Sequence, residues 1–151
     1  ALVFSRQGLP HQQRSADAVA AISRGGYILW EPDGPVDAIA IATGSEVELA
    51  VQAAQRLGES GRRVRVVSMP CAEVFEQQDA DYRQTVLPIE VGARVAVEAA
   101  HADYWHKYVG LSGRIVAMTE FGESAPGGAL MRHFGFTVDA VAEALDGLLA
   151  G

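Results

Sequence analysis

Cysteine is nearly absent from this chain. Cys71 stands alone, so no disulfide can form within it. That excludes a scaffold held by internal disulfides, and a reducing, cytoplasmic setting is the expectation that follows. Cys71 comes directly after Pro70 with no base close in sequence, the setting of a structural residue rather than a nucleophile. Long apolar runs are also lacking. None approaches the roughly 18 residues of a membrane span, and the opening Ala1-Leu2-Val3-Phe4 is too short, and lacks the basic flank, for a secretory leader. Positive charge is scarce: 12 Lys and Arg stand against 19 Asp and Glu, for a net charge of −7. Bulk charge therefore argues against nucleic acid or an anionic membrane as partner. It leaves room for a phosphorylated small molecule gripped by one local arginine. Metal-ligand spacing is missing too, since His101 and His106 lie five apart and do not share a helical face as an i, i+4 pair would.

What is present describes a folded domain. A chain of 151 residues, 49% hydrophobic and 21% charged, has an ordinary globular composition. It is long enough to bury about 68–70% of its unfolded surface. After Ser5-Arg6-Gln7, "GLPHQQRSADAVAAIS" starts on a Gly-Leu-Pro break and carries one brief Ala/Val/Ile pattern, which describes a linker with a short helix. "GYILW" (26–30) is a strand pattern closed by the turn-like "EPDGP". "AIAIAT" (38–43) is apolar nearly throughout, as a central parallel strand is. Ser45 with Glu48 three residues on has the form of a capping box, ahead of an apolar stripe at Val47, Ala50, Val51, Ala54 and Leu57. "RRVRVVSM" supplies the next strand and completes a βαβ unit. The same rhythm continues to the end. A helical stretch broken near Asp79, the strand "ARVAVEAA", the short aromatic helix "ADYWHKYVG" and the strand "RIVAMTEF" follow in turn. Two closing helices complete the chain, the last capped by Thr137. The alternation predicts an α/β three-layer sandwich around a mostly parallel, mixed sheet.

Three stretches invite a functional reading. "ATGSEVE" puts a glycine and a helix start after a strand, the form of an anion site. It lacks the fuller G-x-G-x-x-G pattern and the P-loop lysine, so a plain capped turn is the better reading. "DYWHKYVG" concentrates aromatic residues that pack either against the sheet or against another subunit. "TEFGESAPG" is a polar, glycine-bearing loop after a strand, where open α/β sheets tend to bind ligands. No complete active site emerges from these stretches.

Taken in order, "SRQ", "RGGY", "IATGSEVELAV", "RVRVVSMP", "YRQTVLP", "RVAVEA…ADYWHKYVG" and "TEFGESAPGGALMRHFGFTVDAV" resemble the C-terminal part of the transketolase family. The resemblance covers essentially the whole chain. One departure is Gly127-Gly128, where the family usually has a helix-forming pair. The resemblance implies that residues 1–7 end a preceding pyrimidine-binding domain, 8–24 form a linker, and 25–151 are the C-terminal domain. On that expectation the apolar opening run is the last strand of a domain that lies before this chain. The resemblance further implies a homodimeric, cytoplasmic parent of the pentose phosphate pathway, with thiamine diphosphate and Mg²⁺ or Ca²⁺ held between domains beyond these residues. Its reaction moves a two-carbon ketol unit from a ketose phosphate to an aldose phosphate, and neither catalytic nor cofactor-binding residues are expected here. Dihydroxyacetone synthase, deoxyxylulose phosphate synthase and a non-catalytic α/β binding module are the alternatives. One site residue carries over: Arg6 of "SRQ", which in the family helps grip the sugar phosphate, a task suited to a guanidinium fork. From spacing alone, Arg6 is a strand-end arginine capping carbonyls or pairing with a carboxylate.

Overall fold

The computed structural model describes residues 4, 5 and 7–150. Arg6 and most of the opening apolar run therefore lie outside the described residues, and Phe4 and Ser5 have no regular structure. Ahead of the sheet, Ser15 caps a short helix α1 (Ala16–Ala21) by accepting from the Ala18 amide. A 3₁₀ turn over Ile22–Arg24 then ends on Gly25 in the left-handed region, φ 85°. Four parallel strands follow: β2 (Ala38–Ala42), β3 (Val64–Ser68), β4 (Arg94–His101) and β5 (Arg114–Met118). The preceding strand, β1 (Tyr27–Trp30), lies antiparallel on the β3 edge, giving the order β1-β3-β2-β4-β5. The sheet is mixed and mostly parallel, as the alternation of elements predicts.

Helices cover both faces. β2 shows how the sequence divides the work. Ala38, Ala40 and Ala42 face one layer, and Ile39 and Ile41 face the other. The small alanines admit α2 (Val47–Glu59) and α7 (Val138–Leu149), which pack side by side. The apolar stripe of α2 is buried as its spacing requires, with Ala53 added. Val141, Ala142 and Leu145 of α7 complete that cluster. The isoleucine face receives α3 (Ala72–Glu76), α4 (Ala80–Val86) and α5 (His106–Val109) through Phe75, Val86 and Tyr108. Asp79 caps α4 by accepting from Tyr82 N at 2.7 Å, which explains the break in that helical stretch. Thr137 caps α7 through Ala140 N at 3.1 Å. The short helix α6 (Gly127–His133) starts at the paired glycines themselves.

The Ser45–Glu48 capping box does not form. A 3₁₀ turn over Gly44–Glu46 comes between strand and helix, so α2 starts at Val47 and Ser45 is not at its cap. Ser45 Oγ instead donates to Glu46 Oε1 at 2.5 Å, and Glu48 accepts from Gln52 one turn on.

Two arginines satisfy backbone carbonyls that helix ends leave open. Arg65 of β3 forks onto Glu31 and also donates to the carbonyls of Thr85 and Val86 at 2.7 and 3.1 Å. Arg94 reaches the carbonyls of Leu87, Pro88, Val91 and Tyr108, joining the loop before β4 to the end of α5. Glycine closes the remaining seam. Cys71 N donates to Gly25 O at 2.9 Å. A Cβ on Gly25 would stand 2.3 Å from Cys71 O and 2.5 Å from Phe75 N, and one on Gly26 would meet Met69 and Phe75.

Gly25→Ala should therefore combine left-handed strain with overpacking and lose about 2–5 kcal/mol. Gly44→Ala, also at positive φ but with open space around it, should lose only about 1–2 kcal/mol. Urea unfolding of both variants checks this, and equal losses would remove the packing explanation.

Candidate functional site

The topology opens a crevice at the carboxyl edge of the sheet. From β2 the chain passes through α2 to β3 on one side. From β3 it crosses through α3 and α4 to β4 on the other. The carboxyl ends of β2 and β4 are thus a switch point, the place where open α/β sheets hold ligands. The space there is about 360 Å³ and is lined by Thr43, Met69, Cys71, Glu73, Glu98 and Trp105 among others.

The "ATGSEVE" turn forms one wall. Its anion-binding geometry is already filled by the chain itself. Glu46, only 4% exposed, stands at the start of α2, where a negative charge is favoured by the helix dipole. Its second oxygen accepts from Ala99 N at 3.3 Å. That amide is free because β4 and β5 fall out of register between Glu98 and His101. The turn thus carries an internal carboxylate at the start of α2, without the side-chain cap that the sequence reading gave it. Glu98 precedes the irregularity and accepts from the Trp105 indole N–H. Burial pushes the Glu98 carboxyl above the usual range. The Trp105 N–H opposes that shift, and the charge of Glu46 adds to it. Sequence reasoning missed both glutamates, because nothing in spacing brings residue 46 to residue 98.

The aromatic segment forms the other wall. His101 Nδ1 accepts from Asp103 N at the start of a 3₁₀ turn over Ala102–Trp105, which runs into α5. Trp105 is 2% exposed, and Tyr108 is buried with its hydroxyl donating to Glu76 at 2.6 Å. Burial, reinforced by Glu76, raises the Tyr108 phenol above its ordinary value. Lys107 pairs with Glu76 and lies over the Tyr104 ring at 4.1 Å. Of the two packings open to this segment, Trp105 and Tyr108 take the one against their own sheet. Tyr104 stays on the surface, as does Phe121 in the loop after β5.

The remaining candidates do not assemble. Cys71 is half-buried, and the polar neighbour of its Sγ is the Glu73 carboxylate at 3.6 Å. His101 faces Asp103 at 3.5 Å on the surface. Among the described residues no three His, Cys, Asp or Glu side chains gather as metal ligands. No helix of the described residues is long and apolar enough to cross a membrane. The crevice, lined by carboxylates and by no lysine or arginine, does not fit a diphosphate with its cation.

With this geometry in hand, three comparisons bear on the chain. The profile of the Transketolase-like TK C-terminal domain matches residues 25–137. Transketolase 2 of Vibrio parahaemolyticus is 58% identical over 150 residues, which are 99% of this chain and 23% of that protein. The chain thus spans about a quarter of the length of that curated relative. Among solved structures, a transketolase from Leishmania mexicana superposes with a TM-score of 0.85 at 41% identity, covering 96% of this chain and 20% of that one. A Pichia stipitis transketolase in complex with sedoheptulose-7-phosphate superposes with a TM-score of 0.81 at 33% identity, covering 96% of this chain and 20% of that one.

The two tryptophans should behave oppositely in solution. Trp105 is enclosed in this chain alone, whereas Trp30 is 39% exposed on the edge strand. Near neutral pH, acrylamide should quench the Trp105→Phe variant, which retains Trp30, several-fold more than the Trp30→Phe variant. Similar quenching of the two would contradict the packing of Trp105 under α5.

Proposed function

Because the chain belongs to the transketolase family through its C-terminal domain, we propose that it is the C-terminal domain of a transferase. The parent moves a two-carbon ketol unit from a ketose phosphate to an aldose phosphate. The observation that carries this reading is the match along nearly the whole chain to curated transketolases. The sugar phosphate bound by the Pichia stipitis relative supports the substrate class. The start of the profile match at residue 25 supports a boundary there. On this reading residues 8–24 are the linker and residues 1–7 end a pyrimidine-binding domain.

Thiamine diphosphate and Mg²⁺ or Ca²⁺ would supply carbanion stabilisation in the parent. The switch-point crevice does not fit that group, and on this reading it is held by other parts of the parent. The domain's own contribution is rigid support. The linker is tied down where Arg14 Nε donates to the Tyr27 hydroxyl at 2.9 Å. Arg24 adds a second tie, stacking over Tyr82 at 3.3 Å. These contacts fix the last residues before the domain. A homodimeric, cytoplasmic parent completes the reading, in keeping with the single cysteine.

Two measurements test it. Calorimetric titration of the 151-residue chain with thiamine diphosphate and Mg²⁺ should give no saturable heat, and the chain should show no ketol transfer. Micromolar binding would overturn the assignment of the cofactor to other parts of the parent.

The second concerns Arg6. In the full-length parent, Arg6→Ala should remove a charge-assisted phosphate contact of about 1.5–3 kcal/mol, or roughly one to two decades in kcat/KM. Most of that loss should appear in KM. Hydroxypyruvate, an unphosphorylated donor, should lose far less. Equal losses for both donors would return Arg6 to a structural role.

A further inference from the structure

Two arginines of the sheet are compensated differently. Arg65, buried on β3, donates to the carbonyls of Thr85 and Val86 and also forks onto the Glu31 carboxylate. Arg94, half-buried at the start of β4, donates to the carbonyls of Leu87, Pro88, Val91 and Tyr108 at 2.8–3.2 Å. Among the described residues no carboxylate forms an ion pair with it. Carbonyls satisfy hydrogen bonds but carry no net charge, so the guanidinium stays a partly desolvated cation.

Arg94 lies in the wall of a cavity of about 580 Å³ on the isoleucine face of the sheet, between α4 and α5. Arg83 of α4 and Lys107 of α5 line it too, against a single carboxylate, Glu76. Glu76 is already taken, accepting from Lys107 and from the Tyr108 hydroxyl. Those hydrogen bonds hold its carboxyl below the usual range, and the field of Arg83 adds to them. Arg83 thus stands near the same carboxylate, yet takes part in no ion pair among the described residues. Glu90, whose charge acts on Arg94, lies outside the lining and accepts from Gln84. In a chain of net charge −7, three cations meet around one opening.

The rest of the wall is apolar. Phe75 and Leu87 are buried, while Ile89 stands 82% exposed. The volume is more than a bare phosphate fills and falls within the range of small-molecule sites.

We infer that this cavity binds a small phosphate ester, its phosphate among Arg83, Arg94 and Lys107 and its apolar body against Leu87 and Ile89. Guanidinium and ammonium groups together match the oxygens of a phosphate dianion. Arg94 spends four of its five N–H groups on carbonyls, which leaves one on Nη1 for the ligand. The phosphate supplies the counter-charge that Glu31 supplies to Arg65.

The test is a nuclear magnetic resonance titration of the isotope-labelled 151-residue chain at constant ionic strength, with amide dispersion as control for folding. The probes are phenyl phosphate, inorganic phosphate and phenol. Phenyl phosphate should shift the amides of Arg83, Leu87 and Lys107 saturably, inorganic phosphate should bind more weakly, and phenol at the same concentrations should not saturate. Arg94 is kept, because replacing it would release four carbonyls. Arg83→Gln removes one charge-assisted contact and should weaken phenyl phosphate by about tenfold or more. Arg132→Gln, an exposed change on α6 outside the lining, should leave the affinity unchanged. Ile89→Ser should weaken phenyl phosphate but not inorganic phosphate. Absence of a saturable shift with phenyl phosphate, equal affinity for the two phosphates, or equal effects of Arg83→Gln and Arg132→Gln overturns the proposal.

Discussion

The backbone contact between Gly25-Gly26 and the turn into α3 is the constraint on which the arrangement of this domain depends. No side chain fits between the two segments, so the chain approaches to hydrogen-bonding distance and the Cys71 amide closes on Gly25. That one approach fixes where β1 begins, where α3 begins and where Phe75 enters the core. Tyr82 then locks the same corner, donating its hydroxyl to the Gly26 carbonyl at 2.8 Å while Arg24 stacks on its ring. The segment before β1, which would otherwise sample many directions, is held to one at this corner.

Charge is sorted along the strand axis. Arg62 and Arg63 precede β3, while Arg94 and Arg114 open β4 and β5, so guanidinium groups collect at the amino edge. There they meet Asp37 and Asp146 or backbone carbonyls. Glu73 and Glu98 line the crevice at the opposite edge, and Glu46 stands beside them at the start of α2. A phosphorylated ligand gains nothing from that acidic edge.

The fold was legible because its signals are local and strong. "AIAIA" carries both the buried strand and the division of its two faces, and Asp79 and Thr137 cap the helices that follow them. The Ser45–Glu48 box failed for a local reason as well: Gly44 adopts φ 56° and starts a 3₁₀ turn, displacing the helix cap by one residue, from Ser45 to Glu46. Longer-range features had no local signal. Arg65 stands in a strand pattern like any polar alternate, but its partner Glu31 lies 34 residues away across the β1 edge. The crevice depends on a strand irregularity at Glu98, which spacing does not encode. Arg6 rests on resemblance alone, because a single arginine after an apolar run has many structural uses in a sequence.

The antiparallel placement of β1 has a mechanical consequence. β1 starts beside Ser68, at the carboxyl edge where the linker arrives, and runs back along β3. α7 ends at the other edge, where Gly147 lies against Arg114. A load drawn through the segment before β1 while the end of α7 is held therefore runs along the strand axes. It meets the β1–β3 hydrogen bonds in shear, all strained together, instead of peeling them one by one.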